Sequence, residues 1–69
     1  MTAKTRFIAC CVCDETFMEA AYVCCWDAFS HAGYFAYLFP GCPVWVEHEV
    51  GDERYECAVF QNSDEDEED

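Results

Sequence analysis

"TFMEAAYVCCWDAFSHAG", residues 16–33, is the stretch whose reading decides how this chain folds. Thr16 followed three residues later by Glu19 has the form of a capping box. Asp14 and Glu15 just ahead suit the positive end of a helix. Stepping about 100° per residue places Phe17, Met18, Ala21, Tyr22, Cys25, Ala28 and Phe29 on one arc, with Glu19, Asp27, Ser30 and His31 opposite. Gly33 is a natural stop. The pattern predicts one amphipathic helix that must bury its apolar arc.

The flanks supply the sheet to bury it on. "TRFIACCVC", residues 5–13, is β-rich and apolar on both alternating faces, like an interior strand. "YFAYLF", residues 34–39, is strand or a further helical turn, with its aromatic content favouring strand. "PGCP" then turns the chain. "VWVEHEV" and "RYECAVF" follow as a hairpin across Gly51-Asp52. The expected fold class is α+β: a single small domain, β-α-β-β-β, with one helix on a mostly antiparallel sheet. The first two strands would run parallel by the crossover rule.

Composition sets the limits. Sixty-nine residues make one domain, close to the size at which a single core is only marginally sufficient. Residues 61–69, "QNSDEDEED", hold six consecutive acids and no apolar residue, so a small α+β domain over 1–60 is expected to end in a disordered acidic tail. Six Phe, four Tyr and two Trp compensate for the short length, because each ring can bury a large area.

The chain has 15 acids against Lys4, Arg6 and Arg54, and without the tail nine acids still face three bases. Such a surface repels nucleic acid and anionic membranes and attracts basic protein surfaces. Nothing reaches membrane-spanning length. The apolar run after Arg6 is cut short by Asp14, too early for a convincing secretory leader. Seven cysteines, an odd number with two adjacent pairs, fit a reducing cytoplasm better than a disulfide framework.

Three kinds of site compete. Cys10-x2-Cys13-x11-Cys25-x5-His31 comes close to a zinc-finger spacing. On a strand, however, Cys10 and Cys13 point to opposite faces. On a helix, Cys25 and His31 lie about 9 Å apart along the axis and about 120° around it. Packed thiols without metal or cofactor are the simpler reading. Cys11 and Cys13 share a face and leave open a site completed by Cys24, Cys42 or Cys57. A Cys57–His48 dyad has no third orienting group and lies on the core side, so an enzyme is not expected.

The acidic hairpin is the third. Pairing Val50 with Glu53 sets Glu47 across from Glu56, a like-charge pair that costs some tenths of a kcal/mol. Val44, Val46, His48, Tyr55, Cys57 and Val59 then face the helix, and Trp45, Glu47, Glu49, Arg54, Glu56 and Ala58 face away. Asp52 and Glu53 extend the acid at the turn. Glu47 and Glu49 would stand about 6.8 Å apart along the strand. A row of fixed carboxylates can occupy a Lys/Arg groove built for phosphates.

A tiny acidic α/β domain with "VEHEVGDERYE" on rigid strands and "SDEDEED" behind it resembles the phage-encoded anti-CRISPR proteins, in particular those acting on type I systems as DNA mimics. The resemblance rests on size, charge and style across the whole chain. It implies a cytoplasmic, non-enzymatic inhibitor in the host bacterial cell. Its acids would block the basic DNA-binding or PAM-reading surface of a surveillance-complex subunit. The partner-binding residues on this reading are Trp45, Glu47, Glu49, Asp52, Glu53 and Glu56, in a monomer or weak dimer. A small zinc-binding or protein-interaction module is the alternative, with Trp26 and Trp45 as contact residues.

Overall fold

The structure, a computed structural model, describes residues 5–62. Its elements are β1 (Thr5–Cys13), β2 (Thr16–Tyr22), α1 (Cys25–Leu38), β3 (Val44–Val50) and β4 (Glu53–Gln61). One helix packs on a four-stranded sheet of order β2-β1-β3-β4, so the α+β class holds. Every strand pair is antiparallel, and the order along the chain is β-β-α-β-β, not β-α-β-β-β. The tail expected over 61–69 lies outside the described residues from 63 onward, and Gln61 closes β4.

The difference lies in residues 14–22. Asp14 and Glu15 both have positive φ, 52° and 73°, and form a tight two-residue turn closed by the pair Cys13↔Thr16. Primed turns of this kind match strand twist, and Asp tolerates the left-handed region better than most residues. Beyond the turn the alternation wins over the helical arc. Met18 and Tyr22 pack toward the core, while Phe17 and Glu19 stand on the other side. The apparent capping box is therefore the start of a strand that pairs with one side of β1.

The helix begins eight residues later than the sequence predicts, with Cys24 as an N-cap that makes no side-chain capping bond. It then runs through Gly33, where a Cβ would meet nothing within 4 Å. Residues 34–38, left between strand and helix by the sequence, form its last turns. What stops it is Pro40, which forces Phe39 out of helical geometry to φ −127°, ψ 69°. Gly41 at φ 90° turns the chain toward β3. Because β2 and β3 both pair antiparallel to β1, they run parallel to each other with β1 between them, and α1 bridges that gap.

The core lies between α1 and the sheet. Ala28, Ala32 and Phe35, at helical spacing, meet Ala9, Cys11, Val44 and Val46. Ala28 and Ala32 are fully buried against the sheet, and Phe35 adds a ring that is only 7% exposed. In the second hairpin the register follows the sequence reading: Val50↔Glu53, Glu49↔Arg54, His48↔Tyr55 and Glu47↔Glu56. Past Glu56 a β-bulge inserts Cys57, so Val46 pairs with Ala58 and Trp45 with Val59. The extra residue exchanges the expected faces of Ala58 and Val59. Ala58 packs on the core, and Val59 lies across from Trp45.

Candidate functional site

The sheet face turned away from α1 carries Glu19 from β2, Arg6, Ile8 and Cys10 from β1, Trp45, Glu47 and Glu49 from β3, and Arg54, Glu56 and Val59 from β4. No second layer of backbone covers it among the described residues, yet Ile8 is only 2% exposed and Cys10 is fully buried. Long polar side chains from the other three strands close over these two. Their stems and the Trp45 ring supply apolar cover while their charged ends meet water.

The ends are tied together. Arg54 Nε donates to Glu47 Oε1 at 2.9 Å, and Arg54 Nη2 donates to Glu19 Oε2 at 2.8 Å. Trp45 Nε1 donates to the other Glu47 oxygen, Oε2, at 2.8 Å. Arg6 Nε donates to Glu49 Oε1 at 2.6 Å, between residues in direct register. The hydrogen bond from Arg6 holds the Glu49 carboxyl below its ordinary range. Arg54 is held charged chiefly by Glu19 and then by Glu47. Beneath them, burial pushes the Cys10 thiol up to about 12, with the negative charges of Glu47 and Glu19 adding to it.

The residues singled out from sequence thus fall into two groups. Trp45, Glu47 and Glu49 sit together at the centre, but their charges are engaged inside the protein. The Glu47–Glu56 opposition is present, and the cation that relieves it is the chain's own Arg54. Glu56, Asp52 and Glu53 are exposed and have no ion-pair partner among the described residues. Glu19 and Arg6 escaped the sequence reading, because a helical assignment for 16–22 kept Glu19 off the sheet. The available signal was the period-two pattern of "TFMEAAY" behind a two-residue acidic turn.

The other candidates are dispersed. Cys10 lies on the outer face and Cys13 on the helix side of β1, because an odd separation of three residues sends their side chains to opposite faces. Among the described residues no three His, Cys, Asp or Glu side chains gather as a metal-holding group. His48 stacks on Phe7, with centroids 4.4 Å apart and rings 1° from parallel, and shares a 2.8 Å hydrogen bond between Nδ1 and Tyr55 Oη. Its buried Nε2 has no partner among the described residues.

A second surface lies on the helix. Trp26 and Tyr37 are 71% and 80% exposed, and Tyr34 and Val23 also stand in solvent. Tyr22, Asp27, Ser30, His31 and Tyr34 line an open cleft of about 440 Å³ beside β2, where Tyr22 Oη and His31 Nδ1 share a 2.7 Å hydrogen bond. No helix among the described residues is long and apolar enough to cross a membrane. Comparison with known proteins finds no matching family model, no matching curated protein and no matching solved structure.

Proposed function

We propose that this protein is a non-enzymatic inhibitor that presents carboxylates to a basic, DNA-binding protein surface and keeps DNA out. The reading takes the basic DNA- or PAM-binding site of a type I CRISPR surveillance complex as the target, in a bacterial cytoplasm. The observation that carries it is the β3–β4 hairpin bearing Asp52, Glu53 and Glu56, none of which has an ion-pair partner among the described residues. A chain with formal charge −12 adds long-range attraction to such a surface. Within the hairpin, Glu47 and Glu49 set the shape of the face, and the three unpaired acids are the groups left to meet a partner's Lys and Arg.

The test is competition for target DNA on a purified type I surveillance complex. The native chain is expected to displace DNA, and raised salt to weaken it. Replacing Asp52, Glu53 and Glu56 together by Lys should slow association about tenfold or more while leaving the Arg54 network intact. Full displacement by the triple variant would remove this hairpin as the contact surface.

The exposed aromatics favour one second reading, a protein-interaction module that docks through α1. Trp26→Ala with Tyr37→Ala would then abolish partner binding while leaving DNA competition unchanged. Unchanged partner binding in that variant would remove α1 as the docking surface, and lost DNA competition would count against the hairpin reading.

A further inference from the structure

The seven thiols are not equivalent in their surroundings. Cys10 and Cys11 are fully buried on opposite faces of β1, and Cys24 and Cys57 are exposed. Cys13 and Cys42 are half-buried, and the backbone brings them together. The β1–β3 ladder pairs Cys11 with Val44. One step further, Val12 N donates to Pro43 O at 3.2 Å, so the antiparallel register continues past the end of β3. The next pair in that register is Cys13 opposite Cys42.

The type of pair matters. Bonded and non-bonded pairs alternate along an antiparallel ladder, and Val12/Pro43 is a bonded one. Cys13/Cys42 is therefore a non-bonded pair, whose Cα atoms in such ladders stand about 4.5 Å apart with side chains at their closest. That lies within the roughly 4.4–6.8 Å that a disulfide requires. Both side chains lie on the same side. Cys13 shares the helix-side phase of Ala9 and Cys11, and Cys42 packs against the core.

The Cys42 backbone is also fixed before any bond forms. Its N–H donates to Phe39 O at 3.2 Å, and its carbonyl accepts from Gln61 Nε2 at 2.8 Å.

From this register we propose that Cys13 and Cys42 form a reversible dithiol switch that closes to a disulfide when the chain meets a hydroperoxide. The Cys13 thiolate attacks the peroxide's outer oxygen, giving a sulfenic acid and the corresponding alcohol, or water from hydrogen peroxide. The Cys42 thiolate then attacks that sulfur, forming the S–S bond and releasing water once the hydroxide leaving group takes up a proton. The two thiols lose two electrons and two protons, and the peroxide O–O bond is the oxidant. In a reducing compartment the pair returns to dithiols by exchange with a small thiol.

The Cys13 thiol titrates above its ordinary value, chiefly because of neighbouring Cys42 and then burial, so closure is driven by proximity and speeds up as pH rises. The new bond closes a ring that contains β2 and α1 and restrains the unfolded chain. Both sulfurs lie on the helix side, so the outer carboxylates keep their arrangement. The switch does not depend on the proposed function.

The full reduced chain should be treated with hydrogen peroxide, its remaining thiols blocked, and its disulfides mapped by peptide mass spectrometry. The expected result is an intramolecular Cys13–Cys42 link as the earliest disulfide, with the loss of two hydrogens in mass and a raised urea midpoint. Cys13→Ser and Cys42→Ser should each abolish both changes, and Cys24→Ser should preserve them. An earlier link between any other pair overturns the proposal. So does a Cys13–Cys42 link that leaves the urea midpoint where it was. The mapping is read on the unmutated protein, so a variant that folds poorly cannot decide the matter.

Discussion

The two faces of the sheet are closed by different chemistry. On the helix side, Ala9, Cys11, Val44 and Val46 lie under Ala28, Ala32 and Phe35, and apolar contact alone excludes water. On the outer side, Ile8 and Cys10 are as deeply buried, but their cover is the side-chain network of Glu19, Trp45, Glu47 and Arg54. Among the described residues a single helix, α1, is present to cover one face of the sheet. The second face is sealed by paired charges whose stems do the covering. The acids therefore divide by task, with the central ones holding the sheet and those toward the hairpin end without an ion-pair partner among the described residues.

The largest expected effect comes from breaking the apolar side. Phe35→Ala removes the most deeply buried ring that α1 packs on the sheet, with Phe29 only partly buried beside the same core, and should cost about 3–5 kcal/mol. For a domain of this size that is most of the folding free energy, and the far-ultraviolet signal at room temperature should already show partial unfolding. A urea midpoint close to that of the parent would mean that the alanine pair, not the ring, sets the helix docking.

An intermediate effect is expected on the charged side. Arg54→Met keeps much of the stem but releases Glu47 and Glu19, leaving Glu47 facing Glu56 with no cation between them. The network is partly exposed, so the loss should be about 1 kcal/mol and should shrink at high salt, unlike that of Phe35→Ala. The sharper readout is Cys10. Its thiol is silent toward a thiol-specific reagent while the cover holds, and should become reactive in Arg54→Met with the helix-side Cys11 still protected. Equal reactivity of both thiols would show that the variant opens the whole sheet. The same reasoning makes Glu47 a poor place to test partner binding, since Glu47→Lys would disturb the fold and the surface together.

What the sequence made legible follows the strength of local signals. Gly51-Asp52 between alternating segments fixed the second hairpin, and the Glu47–Glu56 opposition followed from it residue by residue. The bulge at Cys57 carries no Gly or Pro to mark it, so the faces of Ala58 and Val59 came out exchanged. The first hairpin was obscured because its turn is Asp14-Glu15, with no glycine at either positive-φ position. Those same acids sit where helix-start acids would sit, and Thr16 with Glu19 completed the false signal. Met18, Ala21, Tyr22 and Cys25 fit a helical arc, although Met18 and Tyr22 also fit alternation, and a seven-residue segment does not separate the two periods. Tertiary pairing with β1 decided the matter. The charge network was hidden for the same reason, since Glu19 reaches Arg54 only when 16–22 is a strand.

The smallest expected effect isolates a single pair on the charged face. Glu49 takes its hydrogen bond from Arg6 near the end of β1, beyond the Arg54 network. That bond holds the native Glu49 carboxyl below its ordinary value of 4.5, so the folded state binds the proton less readily than the unfolded chain does. The pair's contribution is therefore fully present above that pH and fades as the pH falls through the lowered native value. Arg6→Met should reduce the urea midpoint slightly at neutral pH, and the difference from the parent should close on acidification below 4.5. Both groups are solvent-facing, so the gap at neutral pH should also narrow in high salt. A gap that persists at low pH would mean that Arg6 acts through the packing of its stem beside Ile8 and not through its charge.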